Sequence, residues 1–141
     1  MPVQGSERGH NEPMGQIALI GVVAAGSWLV CVGAFMALRP AQALNVLRLT
    51  ASTRTVNNVE QGLRLLSGLA LLIHSPESKL PHAFAIGGWF VIISSLVLLV
   101  VPLGWHSAYA TWWANRLTTS TVRLMAPASV FAGTGLVYAA L

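Results

Sequence analysis

The side chains that could do chemistry near neutral pH are few: four histidines, one cysteine and four glutamates, with no aspartate at all. His74 and His82 flank the short segment Ser-Pro-Glu-Ser-Lys-Leu-Pro, which would bring them to the same end of two neighbouring helices. Helical bundles hold haem or metal between facing helices in this way. No third ligand at a recognisable spacing accompanies them, and His10 and His106 fall elsewhere, so the expectation is that the chain carries no metal and no cofactor. The lone Cys31 excludes an intrachain disulfide. Without aspartate a Ser-His-Asp site is impossible, and the serines and threonines gather where helices begin, as caps do. No nucleophile–base pair is visible, and the expected protein is not an enzyme.

The elements that must position these residues are more legible. Charged residues make up 9% of the chain, against about 25% in an ordinary soluble domain. Hydrophobic residues make up 55% and come in runs long enough to cross a bilayer. The polar stretch 1–13 has nothing to bury and is expected to be disordered; Met14, directly after it, opens an apolar run and is a start in its own right. The rest, 14–141, reads as one membrane domain with spans at about 17–38, 56–74, 83–101 and 122–141. The first reaches about 33 Å, enough for a hydrocarbon core of about 30 Å. The second is the hardest to place, because it takes in Asn57, Asn58, Glu60, Gln61 and Arg64. Glu60 and Arg64 stand one turn apart with the acid first, so they can pair, and Arg64 can reach back to the interface.

The eight basic residues form no run, which argues against nucleic acid and for topology. Arg39, Arg48 and Arg54 lie between spans one and two, and Arg116 between spans three and four, with Arg64 and Arg123 as edge anchors. The positive-inside rule then places both connections in the cytoplasm beside anionic lipid, and both termini outside, in a multi-pass cell-membrane protein. Each connection holds a short amphipathic stretch suited to the interface: Leu44 and Leu47 in the first, and Trp105, Tyr109, Trp112 and Trp113 in the second. The hexapeptide Arg48–Thr53 (RLTAST) recurs as Arg116–Thr121 (RLTTST), after a proline in each case. This predicts an all-α four-helix bundle of two tandem hairpins, each with an interfacial helix. Gly26, Gly33, Gly68, Gly87 with its neighbour Gly88, Ser129 and Gly133 are among the small residues expected to let the helices approach closely.

The tryptophan-containing segment before the last span and the closing Gly-x-Gly-Leu-Val-Tyr (Gly133–Tyr138) resemble small bacterial inner-membrane proteins of uncharacterised families. The resemblance implies an inner-membrane location and no known activity. Carboxylates are absent from spans one, three and four, which argues against a proton- or sodium-coupled transporter. The function expected first is that of a non-enzymatic accessory, assembly or stabilising subunit of a larger membrane complex, or a self-associating one. A channel or carrier for a small neutral solute comes second, and a quinone-, pigment- or haem-binding redox protein third.

Overall fold

Proline and threonine set most of the helix boundaries. In the computed structural model, which describes residues 8–50 and 53–141, α1 runs Arg8–Leu38 and α2 opens at Pro40 and runs to Thr50. Thr53 caps α3 (Arg54–His74) by accepting the Val56 N–H at 3.3 Å. A 3₁₀ turn at Ser75–Glu77 leads to α4 (Pro81–Val100), which has proline in its first turn, where the missing N–H costs no helical bond. Pro102 precedes α5 (Leu103–Arg116), and Thr118 caps α6 (Thr119–Ala140) by accepting the Thr121 N–H at 3.2 Å. No strand occurs among the described residues.

Helix α1 lies between α6 and α3, and α4 lies against the far side of α3. The row curls at one end. There Val22, Ala70, Leu71, Phe84, Ala139 and Ala140 form a buried cluster drawn from all four long helices. At the other end α2 bridges α1, α5 and α6.

Three helices are long and apolar enough to cross a membrane: Pro13–Leu38 within α1, α4, and α6. The expectation of four such spans is met for these three. With 21 residues α3 is long enough, but its polar side chains lower its hydropathy.

Two further expectations need correction. Residues 8–13 were expected without structure, yet they continue α1 outward; residues 1–7 lie outside the described region. An existing helix extends at one bond per residue, and Pro13 removes only one of those bonds. The second correction concerns the two hexapeptides, whose Ala51 and Ser52 also lie outside the described residues. The caps Thr53 and Thr118 occupy different positions in them, the last and the third. The matched letters are therefore not matched places.

Candidate functional site

Small residues make the helix crossings. A Cβ added at Gly26 would lie 2.6 Å from Val137 Cγ2 and 2.8 Å from the Gly133 carbonyl oxygen. At Gly33 it would lie 2.6 Å from Val130 Cγ2 and 2.9 Å from the Ala126 oxygen. Gly133 in turn faces the Gly26 carbonyl and Val30. Ser129 donates from Oγ to the Leu29 carbonyl at 2.8 Å, adding one interhelical hydrogen bond to the α1–α6 seam. The α3–α4 seam is built alike: Gly68 faces Ile92 and the Gly88 oxygen, and Gly88 faces Leu72 and the Gly68 oxygen. Gly87 was expected in this role together with Gly88, but the space around Gly87 is open. Its neighbour Gly88 points at α3 instead, because a one-residue step turns a helix by about 100°.

The interior also takes in polar side chains. Asn57, Gln61 and Ser95 are buried; Gln61 Nε2 donates to Asn57 Oδ1 at 3.4 Å, and Ser95 Oγ donates to the Val91 carbonyl at 2.7 Å. Gln61 Oε1 is buried with no partner among the described residues. Sequence reasoning treated Asn57 and Gln61 as a burden on the second span. The signal that places them inside was available: they stand one turn apart, on the same helical face as Gly68.

The two candidate ligand histidines have separate fates. His74 is buried, and its Nε2 donates to the Ala140 carbonyl at 2.8 Å. A carbonyl can only accept, so Nε2 carries the proton. Nδ1 has no hydrogen-bond partner among the described residues, with the Glu77 carboxylate 3.9 Å away and the Phe84 ring 6.2 Å from the imidazole. His82 is exposed in the first turn of α4. No group of three His, Cys, Asp or Glu able to hold a metal occurs among the described residues.

Lys79 joins His74 in gripping the end of α6. Its backbone N–H donates to the Ala139 carbonyl at 2.9 Å, and its Nζ donates to the Tyr138 carbonyl at 3.1 Å while lying 3.8 Å above the Tyr138 ring. The last carbonyls of a helix lack intrahelical donors and carry the negative end of its dipole, so a lysine and an N–H of imidazole suit them. No local sequence signal announces this clasp, since its partners lie some sixty residues apart.

At the opposite end, Trp105, Tyr109, Trp112 and Trp113 are all exposed on α5. Trp112 and Trp113 meet edge to face at 5.2 Å between centroids, and the Arg116 guanidinium lies 3.9 Å over Trp112. Arg123 is exposed near the start of α6, while Arg64 pairs with Glu60 at 3.9 Å. Beside them opens a cavity of about 700 Å³ between α1, α2 and α6. Its walls include Trp28, Phe35, Leu44, Leu47 and Met125, and Glu60 is the one charged residue among them. Compared with family models, with curated proteins and with solved structures, the chain gives no match in any of the three.

Proposed function

We propose that the chain is a four-span integral membrane bundle that serves as a non-enzymatic accessory or stabilising subunit of a larger membrane complex. The observation that carries this reading is an inside-out distribution of side chains. Glycine, alanine, serine, asparagine and glutamine make up much of the interior, beside Val22, Leu71, Phe84, Ile92 and Val122, while Ile17, Trp28, Phe90, Ile93, Leu124 and Phe131 are among the large apolar residues facing outward. Lipid, or the apolar face of another membrane protein, is the surrounding that suits such a surface.

The same observation favours α3 as the fourth span. Its exposed residues Val56, Val59, Leu63, Leu66, Leu69 and Ile73 make an apolar stripe at helical spacing, and its polar Asn57 and Gln61 turn inward. Such a helix is polar toward its neighbours and apolar toward lipid, which a hydropathy average hides.

A tandem repeat is supported by the contacts rather than by the hexapeptides. The interval from Gly26 to Pro40 equals that from Gly88 to Pro102, and Thr53 precedes Gly68 by as much as Thr118 precedes Gly133. Exchanging α1–α3 for α4–α6 in these registers turns Gly26 against Val137 into Gly88 against Leu72, and Gly133 against Val30 into Gly68 against Ile92.

Extraction of the full chain in mild detergent tests the functional reading. A second membrane protein should co-purify at fixed stoichiometry, and its abundance should fall when this chain is removed from the cell. A monodisperse chain with no companion, and no other membrane protein diminished in its absence, overturns the proposal.

A further inference from the structure

The cavity of about 700 Å³ falls within the size range of small-molecule sites, roughly 300–1,000 Å³. Its walls hold two aromatic rings, Trp28 and Phe35, two methionines, Met36 and Met125, and one carboxylate, Glu60. The level of that carboxylate follows from the register of α3 on α1. Gly15 faces Glu77 and Gly21 faces Ala70, so the two helices run antiparallel and Glu60 falls level with Cys31 and Val32. Trp28 and Phe35 then stand about 5 Å to either side of that level along the axis of α1. A carboxylate between aromatic rings, in an otherwise apolar hollow, complements a positive charge wrapped in apolar groups. No arginine is among the described walls, and Arg64 lies one turn beyond Glu60, on the side away from the cavity. Their 3.9 Å separation is too long for a hydrogen bond and both side chains are 40% exposed, so Arg64 holds the carboxylate weakly. Arg39, Arg54, Arg116 and Arg123 at this end are exposed, where salt screens them. Trp28 is largely exposed too, so the cavity opens on the outer surface of the bundle.

We propose that this cavity binds a lipophilic monocation of the quaternary ammonium or phosphonium class. Glu60 is its counter-ion, and Trp28 and Phe35 receive its apolar groups. A primary ammonium has three N–H donors to satisfy, and Glu60 is the one oxygen-bearing side chain in the wall. A quaternary centre has no N–H to leave unpaired. The methionines are unbranched and polarizable, so they can adjust to apolar groups of different shape. The site rests on the register of α1 and α3 and not on the subunit role proposed above.

Tetraphenylphosphonium and tetraphenylborate, alike in shape and opposite in charge, are the probes. Their binding to the full chain in an uncharged detergent is measured by equilibrium dialysis against micelles without protein. The phosphonium should bind saturably, one per chain, and more tightly than the borate. Glu60→Gln should weaken the phosphonium about threefold to fivefold, the scale of one partly exposed ion pair, and leave the borate no weaker. Leu44→Trp fills the cavity while keeping Glu60, and should abolish saturable binding. In the parent chain the phosphonium should also slow alkylation of Cys31, the single thiol, which lies on the cavity wall, over the concentrations at which it binds. Equal binding of the two probes, phosphonium binding unchanged in Glu60→Gln, or saturable binding that survives Leu44→Trp overturns the site. So does a Cys31 alkylated at the same rate with and without the phosphonium, a result that needs no variant. Any of these leaves the subunit reading standing, since co-purification tests that separately.

Discussion

A glycine at a helix crossing and a glycine beside it differ only in the direction of a missing methyl group, and substitution separates them. Gly133→Ala forces a Cβ against the Gly26 carbonyl, a backbone atom that moves only if the two helices part. The expected loss is about 1–3 kcal/mol, the usual cost of overpacking. Gly87→Ala meets open space and should be neutral or should stabilise by up to about 1 kcal/mol, since alanine is the better helix former. Unfolding in mixed micelles measures both, and equal damage from the two would refute the register of the seams. His74 offers a second residue-scale test. His74→Phe retains an aromatic ring beside Phe84 but leaves the buried Ala140 carbonyl without its donor. It should cost about 1–3 kcal/mol in the same assay; an unchanged midpoint would mean that the clasp does not stabilise the end of α6. At this scale the sequence yields residue types and not directions. Gly87 and Gly88 are adjacent letters, and only the rotation of α4 against α3 chooses between them.

For the helices as units, α3 is the element on which the membrane reading turns. The runs that build α1, α4 and α6 are legible because uninterrupted apolar sequence needs no partner to explain it. What hides α3 is physical: Asn57 and Gln61 spend their polarity inside the bundle, where composition alone does not put them. Leu69 lies on its exposed apolar stripe. In an Arg64→Leu background, Leu69→Arg would set a charge near the middle of the span, facing lipid and distant from Glu60. Such a charge costs about 2.5–3.5 kcal/mol on insertion scales. The double variant should integrate poorly or be degraded, judged by membrane-integrated protein relative to the parent. Integration at the parental level would mean that α3 does not cross. The amphipathic α2 and α5 were legible as helices following prolines. The cavity beside α2 was not, because it depends on how far α2 stands from α1 and α6.

At the scale of the whole molecule, the arginines make a prediction about sidedness. Reporters fused after Leu141 should be active outside the cytoplasm, and reporters near Thr53 or Thr119 inside it. A cytoplasmic signal from the Leu141 fusion would require an odd number of crossings between it and an external N-terminus. The tandem arrangement proposed above was only half legible. The hexapeptides advertised a repeat, but the helix cap is the last letter of one, Thr53, and the third of the other, Thr118.

The seam between α1 and α6 joins helices at the two ends of the described chain, and this sets the timing of assembly. During synthesis Gly26 emerges more than a hundred residues before Gly133, a delay of about 5–20 s at ordinary elongation rates. Through that interval the face of α1 carrying Gly26 and Gly33 enters the bilayer without α6 against it. It must be sheltered by lipid or by the insertion machinery. Contacts so distant in sequence close slowly, after the local pairing of α3 with α4. A nascent chain arrested before α6 would therefore present its glycine-lined groove to whatever membrane helix is nearby.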